Sequence, residues 1–116
     1  MKIRNFLLGL GMGLACAVSA QAQEAIRIGI PVGLSGANSV VAPSVVQASE
    51  LAVDQINAKG GVLGRRLELV IADDGSDAQG AQRAYDSLVF QQEVDAIVAM
   101  ETSAARNAGL PIVNRG

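Results

Sequence analysis

The residues of this chain best suited to chemistry are hydroxyls that sit beside free backbone amides. In the stretch VAMETSAAR, Val98 to Arg106, an apolar run halts at Glu101 and passes to Thr102, Ser103 and Ala104. A second corner of the same kind, Gly33-Leu34-Ser35-Gly36, follows the apolar run IRIGIPV. Hydroxyl and amide donors at such corners can hold a carboxylate or an amide. They become nucleophiles only when a base stands next to them. The sequence has no histidine, and neither Ser35 nor Ser103 lies in a Gly-x-Ser-x-Gly elbow, which argues against a hydrolase. A plainer role, in which Thr102 or Ser103 caps a helix and Ser35 satisfies a turn, is compatible with binding.

The other reactive groups fit bland roles better. Asp73, Asp74 and Asp77 are not spaced as a calcium loop, which wants acids at alternate positions, a glycine at the sixth and a glutamate at the twelfth. They read instead as the end of a strand and the cap of a helix. Zinc finds no histidine and only Cys16, so no metal is expected. Gly33 and Gly36 match the last two glycines of a dinucleotide fingerprint, but Pro31 occupies the place of the first. The acid that should follow about 20 residues later has no match, since Asp73 lies 37 beyond Gly36. No cofactor is expected.

These corners need a frame that brings them together. Ile26, Ile28, Ile30 and Val32 mark a short buried strand. From Ser44 to Asn57 the polar residues Gln47, Glu50, Asp54 and Asn57 recur three and four apart, with Val45, Ala48, Ala52 and Ile56 opposite, which predicts a helix. Gly60 and Gly61 stop it, the first as the left-handed residue past the C-cap. Leu67 to Ala72 predicts a second strand. Asp77 predicts the N-cap of a second helix with Ala81, Ala84, Tyr85, Leu88 and Val89 on its apolar side, running to about Gln91. Ala96 to Met100 predicts a third strand. Alternation of strand and helix through short links gives parallel strands joined by right-handed crossovers, an α/β fold of three layers with helices on both faces. In such a sheet ligands sit beyond the carboxyl ends of the strands, so Ser35 and Ser103 are expected on one rim.

Composition narrows the setting. The chain has 116 residues and holds one domain at most. Lys2 and Arg4, an uncharged apolar run from Phe6 to Val18, and small residues at Ala20 and Ala22 predict an export signal over residues 1–22, leaving 23–116 as the domain. That run of 13 residues is short of the roughly 20 a membrane span needs. A lipoprotein reading would keep Cys16 as the lipid carrier, but the place three residues earlier, where a large or branched apolar residue is wanted, holds Gly13. Removing Lys2 and Arg4 leaves 7 basic against 11 acidic residues and a net charge of about −4. Dispersed basic residues, with only Tyr85 and Phe90 as aromatics after residue 22, argue against nucleic acid.

Three stretches together resemble a known family: IRIGIPVGLSG, ASELAVDQINAKGGVLGRRLELVIADDGSD and VDAIVAMETSAARNAGLPIVNRG. They are similar to the start of periplasmic solute-binding proteins of ABC importers, in the branched-chain amino acid and amide-binding group. INAKGGVLGRRLELVIADD, Ile56 to Asp74, is the most specific part. The resemblance implies the N-terminal portion of the first lobe of a type I periplasmic binding protein, with the rest of that lobe and the second lobe lying outside this sequence. It implies a hinged clamp that carries a small polar solute to a membrane permease, in the periplasm, without enzymatic activity. A sensory receptor domain for amides or amino acids would use the same clamp. Ligand-contacting positions implied by the resemblance are Ser35, Gly36, Thr102, Ser103 and Ala104, with Glu101 beside them. An acid at 101 points toward an amide or a cationic group.

Two expectations follow for the last segment. Pro111 would break a helix begun near Ser103 because it lacks an N–H and crowds the preceding turn, whereas the resemblance implies a helix that tolerates it. A third strand with one neighbour leaves backbone groups along a sheet edge. Domains of this size bury only about two-thirds of their unfolded surface, so marginal stability and no measurable solute affinity are expected of the chain alone.

Overall fold

The computed structural model describes residues 23–116, so the expected export signal over 1–22 lies outside the described residues. The element order is β1 (Ile26–Val32), a 3₁₀ turn (Ala37–Val40), α1 (Ala42–Ala58), β2 (Leu67–Asp73), α2 (Ala78–Asp86), a π-helical turn (Ser87–Gln91), β3 (Ala96–Ile97) and α3 (Ser103–Val113). β1 lies between β2 and β3, and both pairings are parallel. Seven consecutive pairs from Ile26↔Leu67 to Val32↔Asp73 join β1 to β2. The carboxyl ends of all three strands therefore open at the same edge.

Alternation along β1 sends its side chains to two faces. Ile28, Ile30 and Val32 meet Ala42, Val45 and Val46 of α1 together with Leu69 and Ile71 of β2. The opposite face of β1 meets the second crossover. A methyl group built on Gly29 would come within 3.1 Å of both Leu88 and Val94. Leu88 is fully buried, and Ala81, Ala84 and Tyr85 of α2 are buried with it. Helix α3 packs on α2, with Gly109 directly against the Tyr85 ring. One helix on one face and two on the other make three layers.

The end of α1 is set by a glycine pair. Gly60, at φ 100°, takes the left-handed conformation that costs a glycine little. Gly61 N–H then donates to the Ile56 carbonyl at 2.9 Å and Gly60 N–H to that of Asn57 at 3.1 Å, the double closure of a Schellman motif.

Two features differ from the sequence expectation, and a third decides between the two expectations for the last segment. The inward side of α1 runs through Ala42, Val45, Val46, Ser49, Val53 and Asn57, while Ala48 and Ala52 are exposed. Asn57 turns inward because its amide takes both hydrogen bonds of Leu67, accepting from the N–H at 2.8 Å and donating to the carbonyl at 2.9 Å. Strand β3 is two residues long where five were expected, although Val98 N–H still reaches the Gly29 carbonyl at 2.9 Å. Among the described residues it has a partner on one side only, and extended pairing beyond Ile97 has nothing further to join. The third is α3, which continues through Pro111 as the resemblance implied, against the break expected from proline alone. Pro111 stands near the C-terminal end of the helix, where one lost N–H removes a single bond. Burial of Gly109 and Ile112 holds that last turn in place.

Candidate functional site

Three loops meet at the carboxyl edge, in the order set by the strands: 74–77 after β2, 33–36 after β1 and 98–102 after β3. The first two are stitched together. Ser35 donates its N–H to Asp73 Oδ1 at 3.2 Å and its hydroxyl to Asp73 Oδ2 at 2.7 Å. Ser76 returns the contact, donating its hydroxyl to the Ser35 carbonyl at 2.6 Å and accepting from Asn38 N–H at 2.9 Å. The Ser35 hydroxyl, followed by Gly75 N–H, holds the Asp73 carboxyl below its ordinary range. Asp77 caps α2, accepting from Gly80 N–H at 2.6 Å.

On the other side of β1, Thr102 is the N-cap of α3 and accepts from Ala105 N–H at 3.2 Å. Extended backbone at Thr102 lets its Oγ1 reach forward over the first turn. The N–H groups of Ser103 and Ala104 lie in that first turn, where no preceding helical carbonyl is available to them. They point out of the positive end of the helix dipole, which favours an anion. Thr102, Ser103 and Ala104 are all exposed.

Between the β1 and β3 loops lies a hollow of about 240 Å³, lined by Val32, Gly33, Asn38, Val41, Val45, Met100, Glu101 and Thr102. Of the six residues expected at the site, Glu101 and Thr102 line it. Ser103 and Ala104 follow at the start of α3. Ser35 and Gly36 share the rim, but the Ser35 hydroxyl is turned toward β2 and occupied by Asp73. Glu101 points its carboxyl inward: Tyr85 donates its hydroxyl to Glu101 Oε1. Burial first, and then this bond, push the Tyr85 hydroxyl well above its ordinary value. Asn38 and Met100 are lining residues that sequence reasoning missed, while Gly33 belongs to the corner it named. Glycine is required at 33 because a methyl group there would come within 2.5 Å of the Ser76 hydroxyl oxygen.

A second hollow of about 260 Å³ lies between α1 and the sheet, lined mainly by Ile28, Ile30, Ala52, Val53, Leu69 and Val98. It has almost nothing polar with which to orient a solute. Exposed Ala52 and Val98 on its border leave it open to solvent.

The Thr102 cap gives a direct test of the helix start. Thr102→Ala is expected to lower stability by about 1 kcal/mol, and Thr102→Ser to restore most of it. Thermal denaturation followed by circular dichroism reads both.

A family model described as periplasmic binding protein matches residues 25–116. The Leu/Ile/Val-binding protein homolog 8 of Brucella abortus (strain 2308) is 30% identical over 125 aligned positions, covering 100% of this chain and 31% of that protein. The Leu/Ile/Val-binding protein BraC3 of Rhizobium johnstonii is 36% identical over 85 positions, covering 72% of this chain and 23% of its own length. Among solved structures, the branched-chain amino acid transporter substrate binding protein LivJ of Streptococcus pneumoniae, in complex with isoleucine, superposes with a TM-score of 0.73 at 33% identity. That match covers 78% of this chain and 26% of the streptococcal one. The chain thus spans about a third or less of the length of these relatives.

Proposed function

The chain belongs to the periplasmic binding protein family, whose members bind solutes and are not enzymes, and from that premise we propose that it supplies one wall of a solute cradle. In this reading it is the leading part of the first lobe of an ABC-importer receptor, exported to the periplasm by residues 1–22. The solute is a small polar molecule such as a branched-chain amino acid or an amide, passed on to a membrane permease. Thr102, Ser103 and Ala104 receive the solute's carboxylate or amide on the hydroxyl and free N–H groups at the start of α3. Ser35 and Gly36 close the rim from the β1 side, the Ser35 backbone being fixed by Asp73. Glu101 borders the cradle from behind, its carboxyl directed at Tyr85.

The observation that carries this reading is the hollow between the β1 and β3 loops, open to the first turn of α3 and bounded on one side only. One wall fixes the head of a solute but leaves its other side in water, where hydrogen bonds and charges are worth least. Calorimetry on the isolated chain is therefore expected to register no micromolar affinity for leucine, isoleucine or valine. A chimera in which residues 25–116 replace the matching segment of the streptococcal LivJ should bind a branched-chain amino acid. Replacing Thr102 and Ser103 together by alanine in that chimera should weaken binding at least about tenfold, the worth of one charge-assisted hydrogen bond. A chimera that is folded by circular dichroism yet binds none of these amino acids or their amides overturns the reading.

A further inference from the structure

We propose that Asp74 and Glu101 hold one proton between them, forming an acid–carboxylate pair that ties the end of β2 to the end of β3 behind the rim. Asp74 is 1% exposed, which is rare for a carboxylate without a cationic partner. Its Oδ1 accepts from Ser76 N–H at 2.8 Å, and Glu101 Oε1 accepts from the Tyr85 hydroxyl. The remaining oxygens, Asp74 Oδ2 and Glu101 Oε2, are buried, and they are the two buried side-chain polar atoms without a hydrogen-bond partner among the described residues. The two carboxyls lie within hydrogen-bonding reach of each other, and two unpartnered acceptors cannot satisfy each other as anions. One proton placed between them turns both into members of a single hydrogen bond and removes one of two like charges.

The groups around Glu101 come from every element that packs on it. Asp74 approaches from the β2–α2 loop, Tyr85 from α2 and the Arg106 cation from α3. The hollow that Glu101 borders is lined from β1, the 3₁₀ turn and α1 by Val32, Gly33, Asn38, Val41 and Val45, none of them titratable. Burial is the largest influence and raises the Glu101 carboxyl above its ordinary value; the Asp74 hydrogen bond and charge act in the same direction, while Tyr85 and Arg106 oppose them. The neutral form of Glu101 is thus favoured by folding. Its contribution is complete below the ordinary glutamate range and fades as pH rises through the folded-state value.

The pair acts on position. Glu101 immediately precedes the cap Thr102, and Tyr85 lies against Gly109 of the same helix. Loss of the proton places a second charge beside Asp74 and loosens the joint that aims the first turn of α3. Glu101 is in this sense a positioning residue. A further consequence rests on the solute reading above: a protonated Glu101 keeps one negative charge away from the place proposed for a carboxylate.

Carbon-detected NMR of the side-chain carboxyls in the 116-residue chain tests the proton directly, without any solute. Glu101 is expected to titrate above the ordinary glutamate range. Asp74→Asn should bring its midpoint down, because the amide donates to the ionised form, and Tyr85→Phe should move it up, because a bond to that form is lost. A Glu101 midpoint at or below the ordinary range, or one unmoved by Asp74→Asn, overturns the proposal. Glu101→Gln offers a donor to Asp74 and an acceptor to Tyr85 without a titrating group. Its urea midpoint should change less between pH 4 and pH 8 than that of the parent chain, and an unchanged dependence would count equally against the pair.

Discussion

Leu88→Ala is expected to cost about 2–5 kcal/mol, the range for truncating a large side chain in a core, and it belongs near the top of that range. Leu88 is 0% exposed and lies in the π-helical turn that carries the chain from α2 toward β3. Its carbonyl also accepts from Val94 N–H at 3.0 Å, so the side chain anchors the backbone that introduces β3. Opposite it on the sheet is Gly29, which has no side chain to relax into the space left behind. Cavities that cannot collapse are the costly ones. Small domains have roughly 5–15 kcal/mol in total, so this single change removes a large share of the margin. Urea unfolding should show an earlier midpoint at a similar slope. The geometry also fixes a coupling: Gly29→Ala alone is crowded by Leu88 and Val94 at 3.1 Å, and in the Leu88→Ala background both Leu88 contacts are gone and only that with Val94 remains. The double variant is expected to be more stable than the sum of the two single losses. A loss below about 1 kcal/mol for Leu88→Ala would show that the turn is not packed as described.

Gly80→Ala should destabilise the chain by about 1–3 kcal/mol or more, the cost of overpacking a tight contact. The sign is the informative part, because alanine in place of glycine within an exposed helix ordinarily stabilises by about 1 kcal/mol. Here the new methyl would stand 2.0 Å from the Asp74 carbonyl oxygen and 2.7 Å from its carbonyl carbon. Both atoms are backbone and cannot rotate away. The helix start must retreat, and with it the Gly80 N–H that meets Asp77 Oδ1 at 2.6 Å. Asp74 would move as well, so the same variant should disturb the Glu101 titration. For a domain of this size the melting temperature should fall by about 4–8 °C per kcal/mol. A rise in melting temperature would mean that α2 does not sit on the β2 loop.

Much of this arrangement is legible in the sequence, and the exceptions have physical reasons. The apolar runs of β1 and β2, the Gly60-Gly61 stop and the Asp77 cap are local signals, each decided by residues within a few positions. The inward side of α1 is not decided locally. Alanine contrasts weakly with either environment, so Ala48 and Ala52 fit a stripe that the fold leaves exposed, while Asn57 is drawn inward by a backbone ten residues away. Pro111 is a similar case, since the contact that keeps α3 helical past it comes from Tyr85 on another helix. At the rim, the parallel order of strands is enough to predict which loops share an edge. Which hydroxyl is free is a different matter. Ser35 is engaged by Asp73 across 38 residues, and Glu101 is turned by Tyr85 across 16. Such pairs leave no periodic trace for a reader of the sequence.

The Asn57 clamp frees the connector that follows it. Because one amide grips both polar groups of Leu67, the start of β2 is fixed against the end of α1 before the hairpin-like bend at Val62 to Arg65 is considered. The bend keeps a tie of its own to the entry of β1, since the Arg65 guanidinium donates to the Glu24 carbonyl at 2.7 Å, while Leu63 at its tip is 90% exposed. Change is therefore cheap at the tip and costly at Arg65, and a tag spliced beside Leu63 would leave both the register and the distant carboxyl edge of the sheet undisturbed.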